Sequence, residues 1–165
     1  MNRDKVYLVG FMGAGKTTVA RALGRRLGWR VEDIDERIES VERKSVAAIF
    51  TQHGEPYFRQ LERQVLVELL PERNVVVATG GGTFAEADNR ALMLADGATA
   101  WLDTPLAQVL RRVPSDGRRP LAADRKRMEQ LFFKRQLSYA MAHVRIDGAK
   151  PVPEVVDRLL EWIGY

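Results

Sequence analysis

The sequence predicts an α/β fold built on a mostly parallel, five-stranded sheet flanked by helices. Short β-rich apolar runs alternate with longer stretches of helical periodicity, no internal repeat or low-complexity segment breaks the alternation, and a glycine-rich segment joins the first strand to the first helix. At 165 residues the chain has room for one well-buried unit, so one domain over 1–165 is expected. With 45% hydrophobic and 29% charged residues the composition is that of an ordinary globular domain. The absence of cysteine excludes a disulfide framework and thiolate metal sites, and two histidines leave little for a zinc centre. The chemistry must therefore use carboxylates, bases and backbone. No apolar run approaches the ~18 residues of a membrane span, and the N-terminus has neither a signal-peptide nor a transit-peptide pattern. A cytoplasmic monomer without a membrane partner is the expectation. The net charge of +4 favours anionic partners but is modest for nucleic acid. The dense basic cluster (Arg111, Arg112, Arg118, Arg119, Arg125, Lys126, Arg127) lacks interleaved aromatics, so no nucleic-acid partner is expected.

Val6 to Gly10 is too continuously apolar for a half-exposed strand and reads as a central one buried on both faces. From Lys16 to Leu27 the residues Val19, Ala20, Leu23 and Leu27 share a helix face, Arg21, Arg25 and Arg26 face away, and Gly28 is a stop. A weaker strand from Trp29 to about Asp33 runs into the acidic EDIDERIE. Helical segments follow around Ile38, over Ser45 to Phe50 and over Tyr57 to Leu70, broken at 53–56 by His-Gly-Glu-Pro. A third strand, Val75 to Thr79, ends in Gly80-Gly81-Gly82 before a helix around Arg90 to Leu94. A fourth, Ala98 to Asp103, meets Thr104-Pro105, where Thr is expected to cap the helix Leu106 to Val113 and Pro to take its first position. Pro114 to Asp124 has the composition of a long charged loop, expected to act as a lid. A long helix from about Asp124 to Met141, a strand Val144 to Asp147 and an amphipathic helix Val152 to Ile163 complete the chain.

Gly10-Phe11-Met12-Gly13-Ala14-Gly15-Lys16-Thr17 fits G-x-x-x-x-G-K-[ST] between a strand and a helix, the context of a phosphate-binding loop. From this composition a chance match anywhere in the chain has a probability of about 0.2%. Glycines let successive N–H groups converge on phosphate oxygens, and the helix N-terminus adds positive potential. Lys16 is placed to reach the β- and γ-phosphates and the Thr17 hydroxyl to ligate Mg²⁺. Asp33-x-Asp35 follows at the end of the second strand; were the strand to extend that far, both carboxylates would point the same way, one toward the metal and one toward an attacking hydroxyl. An acidic helix start explains the same residues equally well. The three glycines at 80–82 forfeit packing and backbone order, which implies close approach of another group. Arg59, Arg119 and Arg135 sit singly in or beside apolar context, as clamps for carboxylate or phosphate or as solvated surface.

In order and spacing, GFMGAGKTTVAR, the D-x-D with Ile38-Glu39, IFTQHGEPYFRQLE (49–62), ATGGGT, WLDTP, RRPL and Arg135-x-x-x-Tyr139 resemble the shikimate kinases, small P-loop kinases related in fold to nucleoside monophosphate kinases. The resemblance spans nearly the whole chain and implies the sheet order 2-3-1-4-5, a lid over about 114–124 and a substrate-binding region over about 33–62. It implies ATP and Mg²⁺ as cofactors and transfer of the γ-phosphoryl group to the 3-hydroxyl of shikimate, a small hydroxylated cyclohexene carboxylate. By position, Gly13, Ala14, Gly15, Lys16, Thr17, Thr18 and Arg119 match nucleotide-binding residues, and Asp33 joins Thr17 at the metal. Asp35 matches the residue that grips the substrate hydroxyls, Arg59 and Arg135 the carboxylate clamp, and Gly80, Gly81 and Gly82 the substrate-side loop. Lys16, Asp35 and Arg119 match the catalytic residues, with Arg118 adjoining Arg119 as the other candidate for the lid arginine. The chain departs from the family pattern at Leu137, where Pro is common, and at Ala122, where Leu is common. The rival expectations are a kinase of another small hydroxy acid, such as gluconate, or of a nucleoside monophosphate, and a catalytically silent nucleotide-binding module.

Overall fold

The computed structural model describes residues 1–112 and 124–165. Along the chain run β1 (Lys5–Val9), α1 (Lys16–Leu27), β2 (Arg30–Asp33), α2 (Ile34–Glu42), α3 (Val46–His53), α4 (Glu55–Leu69), β3 (Val75–Ala78), α5 (Ala87–Asp96), β4 (Ala98–Asp103), α6 (Leu106–Arg112), α7 (Arg125–Tyr139), β5 (Val144–Asp147) and α8 (Val152–Ile163). The five strands form one parallel sheet in the order β2-β3-β1-β4-β5. β1 is central and buried throughout, as its unbroken apolar run requires. Its Tyr7 lies opposite Val77 of β3 and Thr99 of β4.

Strand alternation divides the core between the two faces. Val6 and Leu8 of β1, Val76 and Ala78 of β3, and Ala98, Ala100 and Leu102 of β4 pack under α1 and α8 through Val19, Leu23, Val156 and Leu159. Tyr7, Val9, Val75, Val77 and Trp101 face the other way, toward Ile38, Ile49, Phe58, Leu66, Met93, Phe132 and Tyr139. Three helices between β2 and β3 form one side of the cleft at the carboxyl edge of the sheet. Ser45 caps α3 through a hydrogen bond from the Ala48 N–H (3.1 Å), while Gly54 closes α3 and opens α4 with Pro56 in the first turn. The break expected over 53–56 thus narrows to Gly54, because Glu55 and Pro56 both suit a helix start.

The Thr104 cap is a correction. The Thr104 hydroxyl donates to the Ala14 carbonyl (3.2 Å), and the Pro105 carbonyl accepts the first α6 hydrogen bonds, from Gln108 and Val109. Thr104 ties β4 to the phosphate loop instead of capping. Val113 and the expected lid, Arg118 and Arg119 included, lie outside the described residues; Asp124, at the lid's far end, caps α7 by accepting from Lys126 and Arg127 N–H.

At the opposite, amino-terminal edge of the sheet, Lys5 is fully buried. Its ammonium donates to Leu69 O (2.7 Å), Leu70 O (2.9 Å) and Asp96 Oδ2 (2.7 Å). Tyr7 Oη also donates to Asp96 (2.6 Å), and Arg73 reaches its other oxygen (3.1 Å). Burial pushes the Asp96 pKa up, but the Lys5 and Tyr7 donors overcome this and hold it below the usual carboxylate range. A carboxyl depressed on folding adds stability above its unfolded pKa, near 4, and loses it as pH falls through the folded value. Asp96→Asn is therefore expected to lower Tm at pH 7 by roughly 6–12 °C, as for one partner removed from a buried pair. The deficit relative to the parent should shrink below about pH 4; thermal scans from pH 7 to pH 2.5 with a constant deficit would contradict this.

Candidate active site

The carboxyl ends of β1, β2, β3 and β4 converge where strand order reverses around β1, the place where ligands bind in open α/β sheets. The loop Gly10–Gly15 leaves β1 there. Gly15 (φ 94°) takes the left-handed conformation that other residues avoid, and this turns the chain into α1 with its first N–H groups directed at the cleft. Within the loop the Ala14 N–H donates to the Phe11 carbonyl (3.1 Å). Lys16 is buried and folds its ammonium back over the loop onto Gly10 O (2.7 Å) and Phe11 O (2.8 Å). Thr18 is exposed on the first turn of α1. Thr17 Oγ1 donates to Asp33 Oδ2 (2.5 Å), which binds the loop to the end of β2.

Asp33 serves both readings drawn from the sequence. It caps α2 by accepting the Glu36 N–H (3.0 Å) through one oxygen and meets Thr17 with the other. β2 ends at Asp33, where the sequence ends it, and Asp35 stands in the first turn of α2, so the strand does not extend far enough to align the two carboxylates and the acidic helix start is the reading that holds. The helix turn carries Asp35 toward the glycine loop instead. A Cβ built on Gly80 would fall 3.0 Å from Asp35 Oδ1 and 2.6 Å from Glu62 Oε1.

The glycine loop is hemmed in by two guanidinium groups. A Cβ on Gly82 would lie 2.6 Å from Arg59 Cζ, and one on Gly81 would lie 3.3 Å from Arg135 Nη1 and 3.2 Å from Met12 N of the phosphate loop. A side chain at Gly82 would displace the Arg59 guanidinium, and one at Gly81 would press on both Arg135 and the phosphate-loop backbone. Arg59 is aimed from α4 by Glu62 (2.6 Å), three residues on, and by Glu55 (3.1 Å). Burial lowers the Arg59 pKa, but the Glu62 carboxylate outweighs it and the net shift is upward. On α7 the buried residues Met128, Phe132, Arg135 and Tyr139 form one helical stripe, so Arg135 occupies a position where the period calls for an apolar side chain. Its guanidinium lies 5.9 Å from the centre of the Phe11 ring. Among the described residues no carboxylate comes within 4.0 Å of it. Burial pushes its pKa down and nearby Arg59 adds to this, yet an arginine stays charged at neutral pH. Two cations, one of them buried without a carboxylate, mark a place for an anionic group a few ångströms from the phosphate loop.

The structure thus brings together Gly13, Ala14, Gly15, Lys16, Thr17, Asp33, Asp35, Arg59, Gly80, Gly81, Gly82 and Arg135 at one edge of the sheet. Arg119 is outside the described residues. Three neighbours were given no site role from the sequence. Glu62, fully buried, is held by Arg59 and the Thr83 hydroxyl (2.9 Å). Arg112 donates from the end of α6 to Gly13 O (3.3 Å) and stands over the phosphate loop; it had been visible only as part of the basic cluster. Tyr139 donates to Gly81 O (2.5 Å). Its spacing of four from Arg135 was the available signal.

Comparison with known proteins agrees with this geometry. Residues 12–164 match the family model described as shikimate kinase. A shikimate kinase of Persephonella marina is 44% identical over 158 residues, 94% of this chain and 96% of the relative. A solved structure of shikimate kinase from Acinetobacter baumannii in complex with shikimate superposes with a TM-score of 0.93 at 35% identity, covering 98% of this chain and 93% of that one. The Aquifex aeolicus shikimate kinase structure gives a TM-score of 0.87 at 37% identity over 95% and 94% of the two chains. The chain, matched along nearly its whole length by model, relatives and structures alike, belongs to the shikimate kinase family.

Proposed function

We propose that the protein transfers the γ-phosphoryl group of ATP to the 3-hydroxyl of shikimate, giving shikimate 3-phosphate on the route to chorismate. The observation that carries the choice of acceptor is the pair Arg59 and Arg135 at the Gly81–Gly82 backbone. Two guanidinium groups against one glycine backbone, Arg135 without a carboxylate within ion-pairing distance among the described residues, suit a small carboxylate better than a nucleobase or an uncharged sugar. With the carboxylate so held, Asp35 on α2 accepts a hydrogen bond from the ring hydroxyl and orients it for attack on the γ-phosphorus. The new O–P bond forms as the bond to the β-phosphate oxygen breaks; ADP leaves, and the hydroxyl proton passes to Asp35.

Lys16 swings from the loop carbonyls onto the phosphates and stabilises the charge on the transferring oxygens. Thr17 and Asp33 present two hard oxygens side by side, a donor set that fits Mg²⁺ held by few protein ligands with phosphate and water completing the shell. Bound there, Mg²⁺ neutralises phosphate charge. Consistent with so sparse a set, the described residues hold no cluster of three or more His, Cys, Asp or Glu able to hold a metal. Arg119 on the lid is assigned to closing over the phosphates, with Arg118 as the alternative, and the working form to a cytoplasmic monomer of one domain. Among the described residues no helix is long and apolar enough to cross a membrane.

The test is ADP release from MgATP with shikimate, gluconate, AMP or no acceptor in parallel. Turnover confined to shikimate is expected. Faster turnover with gluconate or AMP would overturn the assignment, and ATP binding without turnover on any acceptor would return the silent nucleotide-binding module.

A further inference from the structure

A run of three glycines has no side chains with which to hold its own shape, so Gly80–Gly82 must be fixed from outside. Its entry is fixed by Thr79, whose hydroxyl and N–H both donate to Leu8 O (3.0 and 3.1 Å). Its exit is fixed by Thr83, whose N–H donates to Gly80 O (3.2 Å) and whose hydroxyl donates to Glu62. The middle is held from α7 by the Tyr139 hydroxyl, which donates to Gly81 O at 2.5 Å. Tyr139 is fully buried, with its ring against Trp101 (centroids 6.0 Å apart). A planar trans peptide carries its N–H opposite its C=O, so fixing the Gly81 carbonyl also fixes the direction of the Gly82 N–H. One helical turn before Tyr139, the same α7 face presents Arg135 to Gly81.

We propose that Tyr139 is a positioning residue for the acceptor site: through its hydrogen bond to the Gly81 carbonyl it holds the glycine backbone in register with Arg135, so that α7 sets the guanidinium and the loop it faces as one unit. The inference rests on the acceptor reading above, because it is the acceptor's affinity that the loop controls. Tyr139 touches neither substrate in this account and does no chemistry.

The test is Tyr139→Phe, which removes the hydroxyl and keeps the ring. Its KM for shikimate is expected to rise about tenfold, with KM for ATP within twofold of the parent, and the Thr83 amide, which donates to Gly80 O across the loop, should exchange with solvent about tenfold faster. Trp101→Phe disturbs the packing of Tyr139 but leaves its hydroxyl; it should lower Tm at least as much while holding KM for shikimate within twofold. Equal KM for shikimate in Tyr139→Phe and the parent would overturn the proposal. So would a rise matched by Trp101→Phe, since packing alone would then account for it. Should Tyr139→Phe not fold, exchange of the Thr83 amide in the Trp101→Phe protein decides: protection at parental level supports the tether and loss of protection overturns it. If the parent itself does not turn over shikimate, the acceptor reading fails first, which separates the two outcomes.

Discussion

Lys16→Ala is expected to leave the enzyme roughly 100- to 1,000-fold slower in kcat, with its fold intact. The ammonium is the charge that can follow the phosphoryl group as it moves, and loss of one such preorganised contact costs about 3–4 kcal/mol in the transition state. Lys16 is buried on two carbonyls of its own loop, Gly10 and Phe11, so it is stored beside the phosphates' path and needs only rotation about its side-chain bonds to reach it. Removing it leaves those carbonyls to water at the mouth of the cleft, a change expected to move Tm by no more than a few degrees. Steady-state ADP release together with a thermal scan checks both halves. Activity within tenfold of the parent would remove Lys16 from the phosphate site.

The second large effect is at Arg135. Charge-assisted hydrogen bonds to a carboxylate contribute about 1.5–3 kcal/mol each, so Arg135→Ala should raise KM for shikimate by roughly 100-fold while leaving KM for ATP within about threefold. Stability should move the other way. A guanidinium in the buried stripe of α7, beside a second cation and with no carboxylate within ion-pairing distance among the described residues, costs folding free energy that the ligand recovers. Arg135→Met, which keeps volume and removes charge, is therefore expected to raise Tm while losing shikimate affinity. Equal effects of Arg135→Ala on both substrates, or a lower Tm in Arg135→Met, would move this residue out of the acceptor site.

Much of the fold was legible because its signals are local. α1, β4, β5 and α8 have the bounds read from periodicity, and α1 ends at Gly28 in the left-handed conformation expected of a stop glycine. The phosphate loop was legible for the same reason, a contiguous motif between a strand and a helix. What escaped depends on contacts far apart in sequence. Thr104 looked like a cap because Thr-Pro before a helix usually is one; the carbonyl it serves belongs to Ala14, ninety residues away. For Asp33-x-Asp35 the sequence left a strand extension and an acidic helix start both open, and the structure takes the helix start, with β2 ending at Asp33 and Asp35 in α2. Glu62 reads as an ordinary helix carboxylate until Arg59 and Thr83 are seen to close around it. Arg112 was hidden in a basic cluster whose plain explanation was solvation, yet it lies over Gly13.

The central claim is that Arg59 and the buried Arg135 read a carboxylate on the acceptor. The most direct measurement compares kcat/KM for shikimate and for its neutral methyl ester in the parent and in Arg135→Ala. The account predicts that the parent disfavours the ester by at least about 100-fold, and that Arg135→Ala reduces this discrimination to about tenfold or less, the remainder belonging to Arg59. Equal discrimination in the two proteins would contradict it and place the carboxylate somewhere other than against Arg135.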